Sequence, residues 1–250
     1  MIEIEDQGGI RTLRLARPPV NALDSALLAR LDAELAAAPG AGARGLILTG
    51  GGGRYCAGLD VAELAALDEP SLARFLRVFF AALTRMAESP IPIAAAINGH
   101  SPAGGAVLAL FCDRRVMADG DYLIGLNEVQ VGLYPGAMIH QVLARAVGVR
   151  VAAEMLPAGQ LLNAKAALAV GLVDELAPLE AVEARARAWL ERMLALPPRA
   201  YALTRALVRA DLIGAIRAHG LEEIGAAARL WSEPETRATL AALIAKLSRR

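Results

Sequence analysis

The chain has 250 residues, of which 26 are basic and 26 are acidic, so its formal net charge is zero. This balance, with no sustained basic run, excludes the electrostatic footprint of a nucleic-acid-binding protein. The mean hydropathy of +0.42 is high, but the most apolar window, residues 103–112, has only about half the length of a transmembrane helix. We therefore expect neither nucleic acid nor a membrane as a partner.

The cysteines and the N-terminal sequence predict a cytoplasmic protein. Cys56 and Cys112 lie far apart in the chain and form no CxxC motif, so neither a disulfide framework nor a zinc site is predicted. Residues 1–16 are typical of a β-hairpin, and the sequence predicts no signal or transit peptide before it. A reducing compartment is the expected location.

The first half of the chain alternates short apolar runs with helical patterns. Alternation around the Gly-Gly pair at 8–9 predicts a β-hairpin. A helix is predicted to begin at Asp24 or Ser25 and to end at the Pro-Gly pair at 39–40. The next predicted elements are buried strands at 44–50 and 91–98, a glycine-rich loop at 51–58, a short helix at 59–67 and a longer helix at 71–88.

The second half becomes increasingly helical. Its predicted elements are a helix from Gly104 or Gly105 to Phe111, strands within 113–119 and 122–125, and helices from Pro135 onward that only residues 171–178 interrupt. The alternation of strands and helices over the first two thirds predicts an α/β fold with parallel βαβ units. We expect a core of residues 1–196 and a helical region of residues 197–250.

Three glycine-containing motifs lack the context that their best-known functions require. Residues 40–45, GAGARG, match GxGxxG, but a dinucleotide-binding fingerprint follows a strand and opens a helix, whereas this run follows a helix. Residues 50–54, GGGGR, lack the Gly-Lys-Ser/Thr ending of a P-loop. Residues 99–103, GHSPA, approach a nucleophile elbow but lack its last glycine. A hydrolase that uses Ser101 and one of the three histidines stays an alternative.

Two other loops are more informative as a pair. Residues 54–60, RYCAGLD, and residues 98–113, which contain SPAGG, each follow a predicted buried strand and lead into a helix. Helix N-termini offer unpaired N–H groups and the positive end of the helix dipole. Two such N-termini that converge would form an oxyanion hole for a thioester carbonyl. The alternative is that the glycines only permit tight turns between strand and helix.

Glu128 is the one charged residue in the segment YLIGLNEVQVGLYPG, residues 122–136. A carboxylate at this place could cap a strand end or face the solvent. It could also be a general base whose pKa is raised by an apolar pocket. The segment by itself leaves both interpretations open.

Four segments taken together resemble the enoyl-CoA hydratase/isomerase (crotonase) superfamily: YCAGLD (55–60), NGHSPAGGAVLALFCD (98–113), YLIGLNEVQVGLYPG (122–136) and NAKAALAVGLVDELAP (163–178). The order and spacing of the four make the resemblance specific, and PAGG, ALFCD, MAD and IGLNEVQVG most resemble the mitochondrial-type Δ3,Δ2-enoyl-CoA isomerases. The resemblance implies a crotonase-like spiral of ββα units as an acyl-CoA-binding core. It also implies that the helical C-terminal region supports a homotrimer or a dimer of trimers.

The resemblance assigns the N–H groups of an oxyanion hole to Leu59 and Gly104, and the catalytic base to Glu128. The hydratases of the superfamily carry a second glutamate on the helix after the Gly-Gly pair, where this chain has Val107. Addition of water requires two positioned groups, whereas a double-bond shift requires one base that takes a proton from C2 and returns it at C4. The implied reaction is the isomerisation of 3-enoyl-CoA to trans-2-enoyl-CoA in fatty acid β-oxidation, without a metal or a redox cofactor.

The resemblance also implies a set of substrate-binding residues: Ala57, Gly58, Leu59, Asp60, Val61, Gly104, Val107 and Asn127. Asn127 either orients the base or contacts substrate, and a plain turn role is the alternative. We interpret Asp60 as a helix cap, Asp113 as structural and His100 as a residue of the loop. Trp231 is interpreted as a core or subunit-packing residue rather than a wall of the acyl site.

Two further functions stay open at this point. One is hydration or another crotonase-type reaction of an acyl-CoA, with Glu128 acting alone or with an unrecognised partner. The other is a non-catalytic acyl-CoA binder, which would keep the two amides without requiring a buried base. The presence of Glu128 argues against this binder.

Overall fold

The computed structural model describes residues 1–247 as an α/β fold, which confirms the predicted fold class. Its strands are β1 (Ile2–Gln7), β2 (Ile10–Leu15), β3 (Gly45–Gly50), β4 (Ile93–Ile97), β5 (Ser101–Pro102), β6 (Arg114–Ala118), β7 (Leu123–Gly125), β8 (Leu161–Asn163) and β9 (Glu175–Ala177). Its α-helices are α1 (Ser25–Ala37), α2 (Val61–Ala65), α3 (Glu69–Glu88), α4 (Gly104–Phe111), α5 (Ala137–Val147), α6 (Val149–Ala158), α7 (Ala164–Ala169), α8 (Val182–Leu194), α9 (Pro198–Val208), α10 (Ala210–Ser232) and α11 (Pro234–Leu247). Two short 3-10 helices cover Glu128–Val131 and Leu179–Ala181.

Six strands form the larger sheet in the order β1-β2-β3-β4-β6-β9. The predicted hairpin pairs β1 and β2 antiparallel, and each later neighbour in the sheet is parallel. In the register of the sheet Leu13 pairs with Leu48, which pairs with Ala95. Since β3 and β4 are parallel neighbours, the loops that follow them leave the same edge of the sheet. These are the two loops whose convergence the sequence predicts.

A second sheet of three strands, in the order β5-β7-β8, lies next to this edge. Ser101 of β5 pairs in parallel with Ile124 of β7, so the loop before α4 is joined to the segment that leads to Glu128. Strand β8 was not predicted, because the sequence after Pro135 indicated helices interrupted only at 171–178. A strand of three residues is too short to produce a recognisable alternation, and its pairing with β7 makes it a strand.

Aspartate side chains begin three of the helices, which explains where these elements start. Asp24 accepts a hydrogen bond from the backbone N–H of Leu27 at the start of α1. Asp68 does the same for Ser71, so α3 begins at Glu69, two residues before the predicted start. Asp60 accepts from two N–H groups of α2, which confirms its interpretation as a helix cap. Each side chain satisfies donors that have no intrahelical partner.

Two hydrophobic clusters cover the two faces of the larger sheet. The larger cluster joins the inner faces of α1, α3 and α4, and it includes Leu212 and Ile224 of α10. The smaller cluster contains residues of β3, β4 and β6 with Val182 and Leu190 of α8. The C-terminal helices therefore share the main core, while the division of the chain at residues 196 and 197 stays a prediction. Within residues 1–247, no helix has the length and apolarity that crossing a membrane requires.

A buried ion cluster fixes the start of the C-terminal region to the core. Arg205 of α9 is only 5% exposed and donates to both carboxylate oxygens of Asp113 at 3.0 Å. The Arg209 guanidinium lies 2.8 Å from the same carboxylate. Arg205 also donates to the carbonyl oxygens of Met86 and Ala87 at the end of α3. Asp113 therefore has the structural role that the sequence predicted.

Candidate active site

A cavity of about 600 Å³ lies where the two loops meet the helical layer. Helices far apart in the chain contribute to its mainly apolar wall, including Phe79 of α3, Val107 of α4, Ile139 of α5, Trp231 of α10 and Leu243 of α11. An apolar cleft with a few polar groups is the usual form of a small-molecule site. This cavity is therefore the candidate active site.

The residues that the sequence predicted for the site come together at this cavity. All of them except Gly58 line it: Ala57, Leu59, Asp60, Val61, Gly104, Val107, Asn127 and Glu128. They come from three separate segments of the chain, as the resemblance implied. Two of them contribute free backbone N–H groups to the cavity, and one contributes an unpaired carboxylate.

The N–H group of Leu59 is directed by a backbone pairing on its other side. Leu23 donates to the carbonyl oxygen of Gly58 at 2.8 Å and accepts from the N–H of Asp60 at 3.0 Å, which forms an isolated parallel bridge between Leu23 and Leu59. In this pairing the N–H and C=O of the central residue point away from the partner strand. The Leu59 N–H therefore points away from Leu23 and has no hydrogen-bond partner within residues 1–247.

The N–H group of Gly104 lies beside that of Leu59. Gly104 is the first residue of α4, so its N–H has no intrahelical acceptor, and no other described residue accepts from it. A Cβ atom added to Gly104 would lie 3.3 Å from the Leu59 nitrogen, and one added to Gly58 would lie 3.0 Å from the Gly104 nitrogen. Gly58, with φ +89°, thus allows the two amides to approach each other. The result is a pair of free donors with the form of an oxyanion hole.

Glu128 is the first residue of the 3-10 helix in the cavity wall. Its Oε2 atom is buried without a hydrogen-bond partner, although the residue as a whole is only half-buried. Burial raises the pKa of this carboxyl from 4.5 to about 7 because the charged form loses hydration. Neither a strand cap nor a solvated surface residue has this environment, so the general-base interpretation fits better.

The other polar groups of the cavity wall are either paired or neutral. Asp60 accepts from the N–H of Ala62 at 3.1 Å and forms an ion pair of 2.6 Å with Arg17. The Oδ1 atom of Asn127 is buried without a partner, next to Glu128, and it can orient the base or contact a ligand. At the position of the second glutamate of the hydratases, Val107 is 1% exposed and faces the cavity. Among the described residues, Glu128 is therefore the one unpaired carboxylate of the wall.

The geometry around Ser101 does not support a serine hydrolase. Ser101 is completely buried and does not line the cavity, so its hydroxyl has no access to a substrate there. The Nδ1 atom of His100 accepts from the N–H of Leu123 at 3.1 Å, which confirms His100 as a residue of the loop. His140 is exposed on α5, and the side chain of His219 lies outside the described part of the chain.

Sequence reasoning missed most of the apolar wall. Trp231 is 6% exposed within the main core, as the sequence predicted, and it also lines the cavity, which the sequence did not predict. Phe79 and Phe80 of α3 likewise line the cavity, although their helical spacing indicated a helix packed on a core. A residue at the edge of a core and a residue in a cavity wall have the same apolar periodicity. No signal in the sequence separates the two.

The described residues contain no group of three or more His, Cys, Asp or Glu side chains arranged to hold a metal ion. The cysteines lie in the interior, where burial raises the pKa of both the Cys56 and the Cys112 thiol to about 12. Both are free and buried, so neither presents a thiolate to the cavity. That the protein works without a metal or a redox cofactor stays a prediction.

Comparisons with known proteins agree with this geometry. The family model for enoyl-CoA hydratase/isomerase matches residues 5–236. The chain is 35% identical over 212 residues to the mitochondrial enoyl-CoA delta isomerase 1 of Mus musculus, covering 84% of this chain and 73% of that protein. It is 36% identical over 211 residues to a putative enoyl-CoA hydratase of Thermus thermophilus, covering 82% and 79%.

The fold agrees with a solved structure of the same kind. The crystal structure of human mitochondrial delta3-delta2-enoyl-CoA isomerase superposes with a TM-score of 0.96 at 29% sequence identity, over 99% of this chain and 98% of that one. The family match covers most of the chain, and the similarity includes the segments that form the two loops and the wall with Glu128. The chain belongs to the enoyl-CoA hydratase/isomerase family.

Proposed function

We propose that this protein is a Δ3,Δ2-enoyl-CoA isomerase that converts 3-enoyl-CoA into trans-2-enoyl-CoA in fatty acid β-oxidation. One observation carries the proposal: among the described residues, the cavity has two free backbone donors, a single unpaired carboxylate, Glu128, and an apolar Val107 where a hydratase would place its second glutamate. The similarity to the delta isomerase of Mus musculus supports this choice within the family.

The proposed mechanism uses one base and one pair of amides. The Glu128 carboxylate removes a proton from C2 of the substrate, and the electron pair of that C–H bond moves toward the thioester oxygen. The enolate oxygen accepts hydrogen bonds from the N–H groups of Leu59 and Gly104, each of which typically stabilises such a transition state by about 3 kcal/mol. The protonated Glu128 then returns the proton to C4, so that the double bond moves from C3–C4 to C2–C3.

The pKa of the base suits both halves of this reaction. A group that first accepts and then donates a proton works best when its pKa lies near the working pH. Burial brings the pKa of Glu128 to about 7, so about half of the base is ionised in neutral solution and its conjugate acid is still able to give the proton back. The reaction is redox-neutral and the amides hold the developing charge, which is why we propose no cofactor.

The apolar wall supports an acyl chain as the ligand. Phe79, Val107, Trp231 and Leu243 come from four different helices, and together they provide a dry environment for a fatty-acyl group. The loop of residues 57–61 is proposed to run along the thioester and the pantetheine arm. A homotrimer or a dimer of trimers, and a cytoplasmic location, stay predictions of the sequence.

A product analysis tests the proposed function directly. The purified protein is incubated with 3-enoyl-CoA and with trans-2-enoyl-CoA in separate reactions, and each product is identified by chromatography and mass spectrometry. We expect rapid conversion of the first substrate to 2-enoyl-CoA and slow hydration of the second. If hydration is faster than isomerisation, the protein is a hydratase, as the name of its Thermus thermophilus relative states.

Substitution of Val107 sharpens the same test. Val107→Glu places a second carboxylate in the cavity, where it can hold a water molecule opposite Glu128. We expect a small gain of hydratase activity in the product analysis, with a loss of stability of about 1–3 kcal/mol because a polar group enters an apolar site. Val107→Leu is the matched control, which changes the size of the side chain without adding a carboxylate. Equal hydratase rates for the two variants would contradict the role of this position.

A further inference from the structure

Helix α11 contacts two elements that carry different parts of the candidate site. One is the 3-10 helix Glu128–Val131, which begins with Glu128. The other is α2, which begins two residues after Leu59. Two consecutive residues near the start of α11, Thr236 and Arg237, make these contacts with their side chains. Neither of them lines the cavity.

Thr236 binds the end of the 3-10 helix. Its side chain is only 6% exposed, and its Oγ1 donates to the carbonyl oxygen of Gly132 at 3.2 Å. The N–H of Gly132 in turn donates to the carbonyl oxygens of Glu128 and Val129 at the C-terminus of that helix. The threonine therefore holds the residue whose N–H group closes the short helix carrying Glu128.

Arg237 binds the end of α2. Its guanidinium donates to the carbonyl oxygen of Ala65 at 3.2 Å and to that of Leu67 at 3.0 Å. The last carbonyl groups of a helix have no intrahelical donors and form the negative end of the helix dipole, so a cation is favourable there. Since α2 has only five residues, a contact at its C-terminus also restrains its N-terminus, which follows Leu59 and Asp60.

We propose that Thr236 and Arg237 are positioning residues that hold the segment of Glu128 and the segment of the Leu59 amide at a set distance from each other through α11. The inference rests on the proposed function for its catalytic consequence. The two segments belong to parts of the chain that are far apart in sequence. Helix α11 is a rigid element that bonds to both of them through neighbouring residues.

The direction of the two side chains explains how one helix turn reaches two elements. Consecutive residues of an α-helix point about 100° apart, so Thr236 points into the core while Arg237 lies along the surface toward α2. Proton transfer depends steeply on geometry, and a displacement of about 1 Å costs up to about hundredfold in rate. A change in the distance between base and oxyanion hole would therefore lower kcat more than it changes binding.

Turnover of 3-enoyl-CoA is the first test. We expect Thr236→Val and Arg237→Gln each to lower kcat about tenfold, with KM within about twofold of the wild-type value. Thr236→Ser keeps the hydroxyl and is expected to retain near wild-type kcat. Thr239→Val is the matched control, because among the described residues the Thr239 hydroxyl bonds to Glu235 of α11 alone and the isosteric valine keeps the packing of this side chain beside Gly132. Unchanged kcat in both single variants would overturn the proposal.

The double variant separates coupling from two independent contacts. If both residues fix the same distance between the Glu128 segment and the Leu59 segment, loss of either residue already allows that distance to change. The Thr236→Val/Arg237→Gln variant is then expected to lose about as much kcat as each single variant. Independent contacts would multiply to about a hundredfold loss, and that result would overturn the proposal.

Hydrogen exchange gives a readout that does not depend on activity. We expect Arg237→Gln to raise amide exchange in residues 128–133 as well as in residues 61–67, and Thr236→Val to do the same. Lys246→Gln, which removes an exposed cation from the same helix, is the control and should change neither segment. Exchange raised only in the contacted segment would contradict the coupling. Wild-type protein that does not isomerise 3-enoyl-CoA would contradict the proposed function, while the exchange result still decides the coupling.

Discussion

The two halves of the candidate site are built in different ways. The donor half consists of the backbone N–H groups of Leu59 and Gly104, which a pairing with Leu23 and the start of α4 direct into place. The base half depends on the side chain of Glu128, whose carboxyl group is buried without a partner. Backbone geometry defines the first half, and the identity and surroundings of one side chain define the second.

This difference predicts how each half responds to mutation. A backbone donor survives most side-chain substitutions, and it is lost only when the path of the chain changes or another atom blocks it. A side-chain base is lost with one substitution that leaves the fold intact. The base half is also sensitive to its surroundings, because burial alone raises the pKa of Glu128 to about 7.

The largest effect is expected at the base. Glu128→Gln keeps the shape of the side chain but cannot accept the proton, so kcat for 3-enoyl-CoA should fall about thousandfold, within the usual range for a general base. Affinity for a saturated acyl-CoA, measured by calorimetry, should stay within about threefold, since the donors and the apolar wall are unchanged. Turnover by the Gln variant near the wild-type rate would remove Glu128 from the mechanism.

A somewhat smaller loss is expected when the donor half is blocked. The Cβ atom of Gly58→Ala would lie 3.0 Å from the Gly104 nitrogen and 3.2 Å from the Ala103 Cβ, so the Gly104 amide would have to move away from that of Leu59. We expect kcat to fall about hundredfold, the typical effect of losing one donor. Gly53→Ala is the matched control, because Gly53 also has a positive φ, +68°, but an added Cβ would contact nothing within 4 Å. Equal kcat in the two variants would show that backbone strain, and not the blocked amide, causes the loss.

The pH dependence distinguishes the halves without mutation, since only the base half titrates. The unprotonated Glu128 is the active form, so kcat/KM should rise about tenfold per pH unit below a pKa of about 7 and level off above it. A pH-rate profile of the wild-type protein measures this. A profile that stays flat between pH 5 and pH 8, roughly the range in which such a base titrates, would contradict the assignment.

The stability of the folded protein should fall with rising pH, whereas kcat/KM should rise. The folded state binds the Glu128 proton more tightly than the unfolded state, in which the pKa is near 4.5. Its stabilising contribution is therefore fully present below pH 4.5 and is lost as the pH rises through about 7. Denaturant titrations of wild type and Glu128→Gln at several pH values would measure this contribution: the amide stays neutral like the protonated acid, so the wild type should lose stability relative to the Gln variant as the pH rises from 4.5 to about 7. Parallel curves of stability against pH for the two proteins would argue that the pKa of the Glu128 carboxyl is not raised.

The smallest effect is expected from the side chain of Leu59. Leu59→Ala leaves the N–H group and its pairing frame with Leu23 in place, so kcat should change by less than about threefold, far below the effect of a lost donor. The same steady-state assay measures it, with thermal unfolding as the check on folding. A loss of kcat as large as that of Gly58→Ala would mean that catalysis depends on the leucine side chain, and not on the amide, at this position.

The sequence by itself determined the parts of the protein that depend on neighbours in the chain. Short apolar runs followed by glycine loops predicted β3 and β4 with helices after them, because strand and helix periodicity are local properties. The isolated charge of Glu128 in a neutral segment left a cap and a base as alternatives, and only the resemblance to the family favoured the base and, through Val107, isomerisation. Asp60 was correctly interpreted as a cap, since capping uses donors only two and three residues away.

Only the tertiary structure decided the features that join distant residues. The pairing with Leu23 directs the Leu59 N–H group toward the cavity. The contact between Gly58 and Gly104 brings the two N–H donors close together. Trp231 became part of the cavity wall because α10 packs along α3 and leaves a space between them unfilled. An apolar face in the sequence predicts that a side chain is buried. Whether it then meets another side chain or a cavity depends on packing, which brings together residues that no local pattern relates.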